Sequence, residues 1–297
     1  MNSHDMTTKI ASGKGFIAAL DQSGGSTPKA LRGYGVDDSE WSGDEEMFGK
    51  IHEMRCRIVT SPSFNGDKVI GAILFEKTMD GCVADGMTVP EKLKSRGIVP
   101  FLKVDKGLED EADGVQLMKA NPTLDALLEK GKAAGIFGTK MRSVIQSADA
   151  AGIAAIVRQQ FEVGRQILGH GLMPIIEPEV NINASDRAQS EAILLNETLA
   201  ALDALPDGEQ VMLKLSLPVE ANLYKPLVDH PKVLRVVALS GGFSRTDACE
   251  HLARNTGMIA SFSRALLEEL RAGMDEHEFD QALATAIDEI QCASVAG

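Results

Sequence analysis

Short apolar or alternating segments, each running into a longer helical pattern, recur eight times along the 297 residues, and no other feature constrains the fold as much. The strand-like stretches are Gly15–Asp21, Val69–Glu76, Val99–Asp105, Gly135–Met141, Met173–Val180, Gln210–Ser216, Val233–Ser240 and Met258–Ser263. Helical patterns follow at Asn121–Lys132, Ala148–Gly169, Ser185–Leu205 and Phe243–Asn255, with a closing pair at Arg264–Ala272 and Asp275–Ser294. Strands alternating with helices imply parallel pairing through crossovers, and eight such units predict a (β/α)8 TIM barrel in the α/β class. An open doubly wound sheet competes, but it should carry G-x-G-x-x-G after its first strand. Here the first strand ends in DQSGGS. No low-complexity stretch or flexible linker divides the chain, so residues 1–297 read as a single barrel domain with a short N-terminal arm and C-terminal helices. Gly33–Asp44, rich in Gly, Asp and Ser, reads as a long loop above the barrel.

The charge balance excludes some function classes. Lys and Arg number 30 against 43 Asp and Glu, a net charge of -13, which disfavours a general nucleic-acid binder. No apolar run is long enough to cross a membrane, and MNSHDMTTKI holds no apolar signal core. Cys56, Cys82, Cys249 and Cys292 are scattered without C-x-x-C spacing, which fits reduced thiols in a cytoplasmic protein. The histidines fall outside the strand ends and share no metal-ligand spacing, so no metal or other cofactor is expected.

In a barrel of this kind, chemistry sits at the C-terminal ends of the strands. The last polar residues there are Asp21, Glu76, Lys103 with Asp105, Lys140 with Arg142, Glu177 with Glu179, Lys214 with Ser216, Ser240, and Ser263 with Arg264. The two-residue period of a strand assigns their faces. In VMLKLS, Val211, Leu213 and Leu215 should pack on helices, which turns Lys214 into the barrel. The same parity groups Phe101, Lys103 and Asp105, then Gly138, Lys140 and Arg142, then Ile175, Glu177 and Glu179. Charges converging on one small volume are costly unless they pair or do chemistry. Lys103, Lys140, Arg142, Lys214 and Arg264 would form a positive well that steers a small anionic substrate. Ser240-Gly241-Gly242 before a helix, with Arg264 one strand later, suits a phosphate. Ser23-Gly24-Gly25-Ser26 offers a second anion position.

A buried lysine near another cation should lose its proton readily, and a neutral amine attacks a ketone to form a Schiff base. Lys214 is the expected nucleophile and Lys140 the second cation. Glu177 is placed to move protons during dehydration, and Asp21 to take a hydroxyl proton as a carbon–carbon bond breaks.

FIAALDQSGGSTPKAL, AILFEKTMDG, FLKVDKG, the Lys140-Met141-Arg142 segment, PIIEPEV, VMLKLSL, ALSGG and SFSRAL resemble, in order, the motifs of class I fructose-bisphosphate aldolases, most closely the shorter bacterial type. The resemblance spans roughly residues 12–270. It implies a (β/α)8 barrel and the reversible, metal-independent cleavage of fructose 1,6-bisphosphate to dihydroxyacetone phosphate and glyceraldehyde 3-phosphate in glycolysis. It makes Lys214 the Schiff-base lysine, Glu177 the proton-transferring carboxylate with Glu179 its acidic neighbour, and Asp21 the acid beside the cleaved bond. Lys140 and Arg142 become the basic pair near that bond, and Ser240, Gly241 and Arg264 the site for one phosphate. Ser23, Ser26 and Lys103 fall where family members approach the other phosphate. The chain departs from vertebrate-type members, which carry Glu at the position of Gln22, Arg at that of Ala30, and a terminal tyrosine where this chain ends CASVAG. The late proton transfer from the enamine therefore has no matching residue. Two alternatives are a related Schiff-base barrel aldolase acting on another sugar phosphate, and a silent sugar-phosphate-binding scaffold. The expected partner is a sugar phosphate, with a homo-oligomer open and neither nucleic acid nor membrane expected.

Overall fold

Apolar runs bounded by turns do become the strands, and the computed structural model describes all residues from Met1 to Gly297. The strands are β1 (Phe16–Leu20), β2 (Val69–Leu74), β3 (Val99–Lys103), β4 (Val115–Gln116), β5 (Gly138–Ile145), β6 (Met173–Val180), β7 (Val211–Ser216), β8 (Val233–Leu239) and β9 (Ile259–Ala260). The helices are α1 (Ser3–Ser12), α2 (Ser26–Tyr34), α3 (Gly43–Thr60), α4 (Glu76–Met79), α5 (Val89–Ser95), α6 (Leu124–Ala133), α7 (Ala150–Gly169), α8 (Arg187–Asp203), α9 (Lys225–Val228), α10 (Arg245–Leu252), α11 (Arg264–Leu267) and α12 (Glu276–Ala296). Parallel pairing runs β1-β2-β3-β5-β6-β7-β8-β9, the order expected of a (β/α)8 barrel. The short β4 pairs antiparallel to the end of β5, off this path. The ladder stops between β9 and β1, where Ala19 N donates to Phe262 O at 3.1 Å across the seam.

Strand parity sorts the core into two parts. Val211, Leu213, Leu215, Leu102, Val104, Met141 and Ile176 join the large apolar layer between strands and helices. Ile17, Val99, Phe101, Ile175, Met212 and Val237 instead fill the lower barrel interior. The alternate faces of the same strands therefore carry apolar residues below and charged ones above. Gly138 belongs to this lower packing: a Cβ there would lie 2.2 Å from Met173 O and about 3 Å from the Phe101 ring.

Three expectations change. The N-terminal arm is a helix: Asn2 and Asp5 form a capping box, and the helix sends Met6 and Ile10 into the interior cluster. It therefore closes the bottom of the barrel. The expected loop Gly33–Asp44 is mostly a tight connection. Helix α2 runs through Gly33 and Tyr34, Gly35 ends it with φ 89°, Asp37 caps a short 3-10 turn at Asp38–Glu40, and α3 begins at Gly43. Third, the helix after Ser240-Gly241-Gly242 starts only at Arg245, capped by Ser244 and with Asp247 in its first turn. Gly241 thus lines the mouth, whereas no residue of that helix does.

Candidate active site

The charged upper interior opens into a cavity of about 1030 Å³, lined by the ends of strands from all around the barrel. Asp21, Ser23, Ser26, Lys103, Lys140, Arg142, Glu177, Glu179, Lys214, Ser240, Gly241 and Arg264 all line it. Gly242 stands beside it, with Arg264 Nη2 3.5 Å from where a Gly242 Cβ would be. Glu76 lies away from the cavity, at the start of α4, paired with Lys106 and Lys130 at 3.3 Å each.

Register brings the centre together. Lys103 pairs with Lys140 and Arg142 with Glu177 across adjacent strands, so the charged ends stand level. Lys140 Nζ is 2.6 Å from Asp21 Oδ2 and 3.0 Å from Glu177 Oε2. Lys214 Nζ is 3.0 Å from Glu177 Oε1. The two lysines thus take one oxygen each of the same carboxylate. Lys140 and Lys214 are both 4% exposed, and Glu177 is 3% exposed, so water screens these charges little. Burial alone would drive the Lys140 ammonium down, but Asp21 and Glu177 outweigh it and hold the pKa well above the ordinary lysine value. Burial alone would raise the Asp21 carboxyl, but Lys140 and Lys214 override it and hold it well below the usual carboxylate range. Glu177 Oε2 makes no well-directed hydrogen bond, although the Lys140 ammonium is close.

Around this centre, Arg142 Nη1 pairs with Glu179 Oε2 at 3.1 Å. Burial raises the Glu179 carboxyl, and Glu177 adds to this against the pull of Arg142. Burial opposes the Arg142 charge, but Glu179, Glu177 and Asp105 raise its pKa above the ordinary value. Lys103 is held by Asp105 at 2.8 Å. Seven cations line the cavity against five carboxylates, a positive excess within an acidic chain.

The rim carries several uncommitted hydrogen-bond donors and cations. Gly241 and Gly242, at φ 61° and 123°, have main-chain N–H groups that donate to nothing within the chain. The Arg264 side chain makes no hydrogen bond or ion pair within the chain and borders Gly242, so an unpaired guanidinium stands beside two uncommitted amides. On the other side, the amides of Gly24 and Gly25 are likewise uncommitted at the start of α2, while Ser26 Oγ is engaged with Ser23. Lys29 lines that side without an ion-pair partner.

Several supporting residues escape strand-end reasoning. Gln160, buried on α7, donates to Ser143 Oγ at 2.8 Å and accepts from Glu177 N at 2.9 Å. It fixes the strand that carries Glu177, and a polar residue on an apolar helical stripe was its legible signal. Arg55 is 1% exposed on α3 and donates to Thr78 Oγ1 at 2.7 Å and to Gln22 O and Oε1 at 2.5 and 3.0 Å. Burial pushes its pKa down to about 10. Ser261 lines the cavity with a buried hydroxyl that has no partner.

Comparison with known proteins follows the same lines. A family model described as glycolytic, fructose-bisphosphate aldolase class-I, matches residues 3–226. The fold is similar to a solved fructose-bisphosphate aldolase from Plasmodium falciparum, at TM-score 0.82 and 19% identity, covering 99% of this chain and 95% of that one. A protein from Corynebacterium glutamicum is similar at TM-score 0.52 and 16% identity, over 98% of this chain and 92% of that one. No helix is long and apolar enough to cross a membrane.

Proposed function

The chain belongs to the class-I fructose-bisphosphate aldolase family, and from that premise we propose that it cleaves fructose 1,6-bisphosphate reversibly through a Schiff base on Lys214. The single observation that carries this reading is the Lys214–Glu177–Lys140–Asp21 chain, whose successive contacts are 3.0, 3.0 and 2.6 Å. With a ketose bound, the Lys214 ammonium passes a proton to Glu177 across that first contact, leaving a neutral amine. The amine attacks the C2 carbonyl and forms a carbinolamine. The same Glu177 then returns a proton to its hydroxyl, which leaves as water and generates the iminium.

The iminium withdraws the electron pair of the C3–C4 bond. Asp21, ionised by its cations, takes the C4 hydroxyl proton as that bond breaks and the aldehyde departs. Lys140 stays protonated between Asp21 and Glu177 and supplies a fixed positive charge to the developing oxyanion. The enamine left on Lys214 takes a proton at carbon, and water releases the second triose phosphate. Gly241, Gly242 and Arg264 bind one phosphate, and the Gly24–Gly25 turn with Lys29 and Lys103 attracts the other.

Activity should survive chelators and disappear in Lys214→Ala. Full activity in folded Lys214→Ala would remove the proposal. Turnover of fructose 1,6-bisphosphate should exceed that of the 1-phosphate. The reverse order would favour a related Schiff-base aldolase for another sugar phosphate.

A further inference from the structure

Arg55 is a charged residue where an aliphatic one belongs. It shares the buried face of α3 with Met47, Ile51, Met54 and Ile58. No carboxylate lies within ion-pairing distance, and its Nε has no hydrogen-bond partner. Asp21 attracts the buried guanidinium from beyond ion-pairing distance and offsets only part of the cost of burying it, so its hydrogen bonds define what it does. One nitrogen reaches Thr78 beyond β2, and the other holds both oxygens of Gln22, which lines the cavity beyond β1.

Gln22 follows Asp21 directly. With Oε1 fixed by Arg55, its amide must present Nε2 on the opposite side, where it donates to Ser263 Oγ at 2.6 Å. Ser263 precedes Arg264. The amide therefore crosses the seam at which the strand ladder is interrupted, and it ties the end of β1 to the segment after β9. A reversed amide would put its NH2 against the guanidinium and offer Ser263 an acceptor instead.

We propose that Arg55 is a positioning residue for carbon–carbon cleavage, acting through Gln22 to fix Asp21 relative to the anion-binding arm Ser263–Arg264. The inference rests on the lyase reading above. Arg55 touches no substrate; it sets the distance between the group that takes the hydroxyl proton and the arm that holds the phosphate. Once dihydroxyacetone phosphate is bound at saturation, forming its Schiff base requires Lys214 and Glu177, which sit on β7 and β6. The cleavage step requires Asp21 as well.

The test uses Arg55→Met, Gln22→Met and the double variant in the full chain, with two readouts. One is kcat for fructose 1,6-bisphosphate cleavage. The other is the rate of borohydride inactivation at saturating dihydroxyacetone phosphate. Either single variant should lose roughly 10- to 100-fold in cleavage, the cost of a displaced catalytic group, while inactivation stays near the unsubstituted rate. The double variant should be no worse than the worse single one, because both substitutions break the same link. Unchanged cleavage, equal losses in both readouts, or multiplying losses would overturn the proposal. Should Arg55→Met fail to fold, Gln22→Met alone decides by the same split, since it leaves Arg55 its main-chain acceptor. Absence of Lys214 labelling in the unsubstituted protein would overturn the lyase reading, and the proposal with it.

Discussion

Replacing Lys140 with methionine isolates the electrostatic core of the site. The ammonium bridges Asp21 at 2.6 Å and Glu177 at 3.0 Å, and all three side chains are under a tenth exposed. Methionine keeps most of the volume and removes the charge, leaving two buried carboxylates: Glu177, still paired with Lys214 at 3.0 Å, and Asp21, with no ion-pair partner. Breaking a buried pair by removing one partner costs about 3–5 kcal/mol. For a chain of 297 residues, that corresponds to a fall in Tm of about 5–8 °C. The pH dependence has a definite sign. Asp21 has a folded pKa below its ordinary 3.8, so its stabilisation is present above 3.8 and is lost as pH falls through the folded value. Lys140 has a folded pKa above its ordinary 10.5, so its stabilisation is present below 10.5 and is lost as pH rises through the folded value. These describe one coupled interaction and are not summed. Urea unfolding of both proteins should show the full deficit at neutral pH. The deficit should narrow toward pH 4, where carboxylates in the variant take up protons. A neutral-pH loss below about 1 kcal/mol, or one that does not change on acidification, would refute the reasoning.

Arg264→Met should raise KM for the bisphosphate about 10- to 100-fold, the worth of a charged hydrogen-bonded pair, and weaken inhibition by inorganic phosphate. An unchanged KM would remove the phosphate from this arm. Gly242→Ala forces a side chain into φ 123° with Arg264 Nη2 3.5 Å away, so phosphate affinity should fall and stability should drop by about 1–3 kcal/mol, measured by titration and urea unfolding. Ile10→Ala should destabilise the barrel by about 2–5 kcal/mol through the cavity left under it, while kcat stays unchanged. A kcat loss there would mean that α1 does more than close the bottom.

Parity along the strands made the centre of the site legible. Lys214 faces inward because Val211, Leu213 and Leu215 pack outward, and the same count orders Lys103, Lys140 and Glu177. The eight-strand count gave the barrel, but boundaries moved where local pairing differs. Strand β5 runs on to Ile145 because β4 pairs with its end, and β9 contracts to two residues. Gly33–Asp44 misled because residues that mark loops also cap helices: Gly35 ends α2, and Asp37 starts the 3-10 turn. Arg55 and Gln160 escaped because their roles cross from helix to strand end, a long-range relation that no local period encodes. What each left in the sequence was a polar residue on an apolar helical stripe.

The covalent step admits a direct test. The protein is incubated with dihydroxyacetone phosphate, reduced with borohydride, digested and analysed by peptide mass spectrometry. A stoichiometric secondary-amine adduct on Lys214, absent without the triose phosphate, is the result expected of a Schiff-base lyase. An adduct on another lysine, or an enzyme that cleaves the bisphosphate yet resists reductive inactivation, would contradict it.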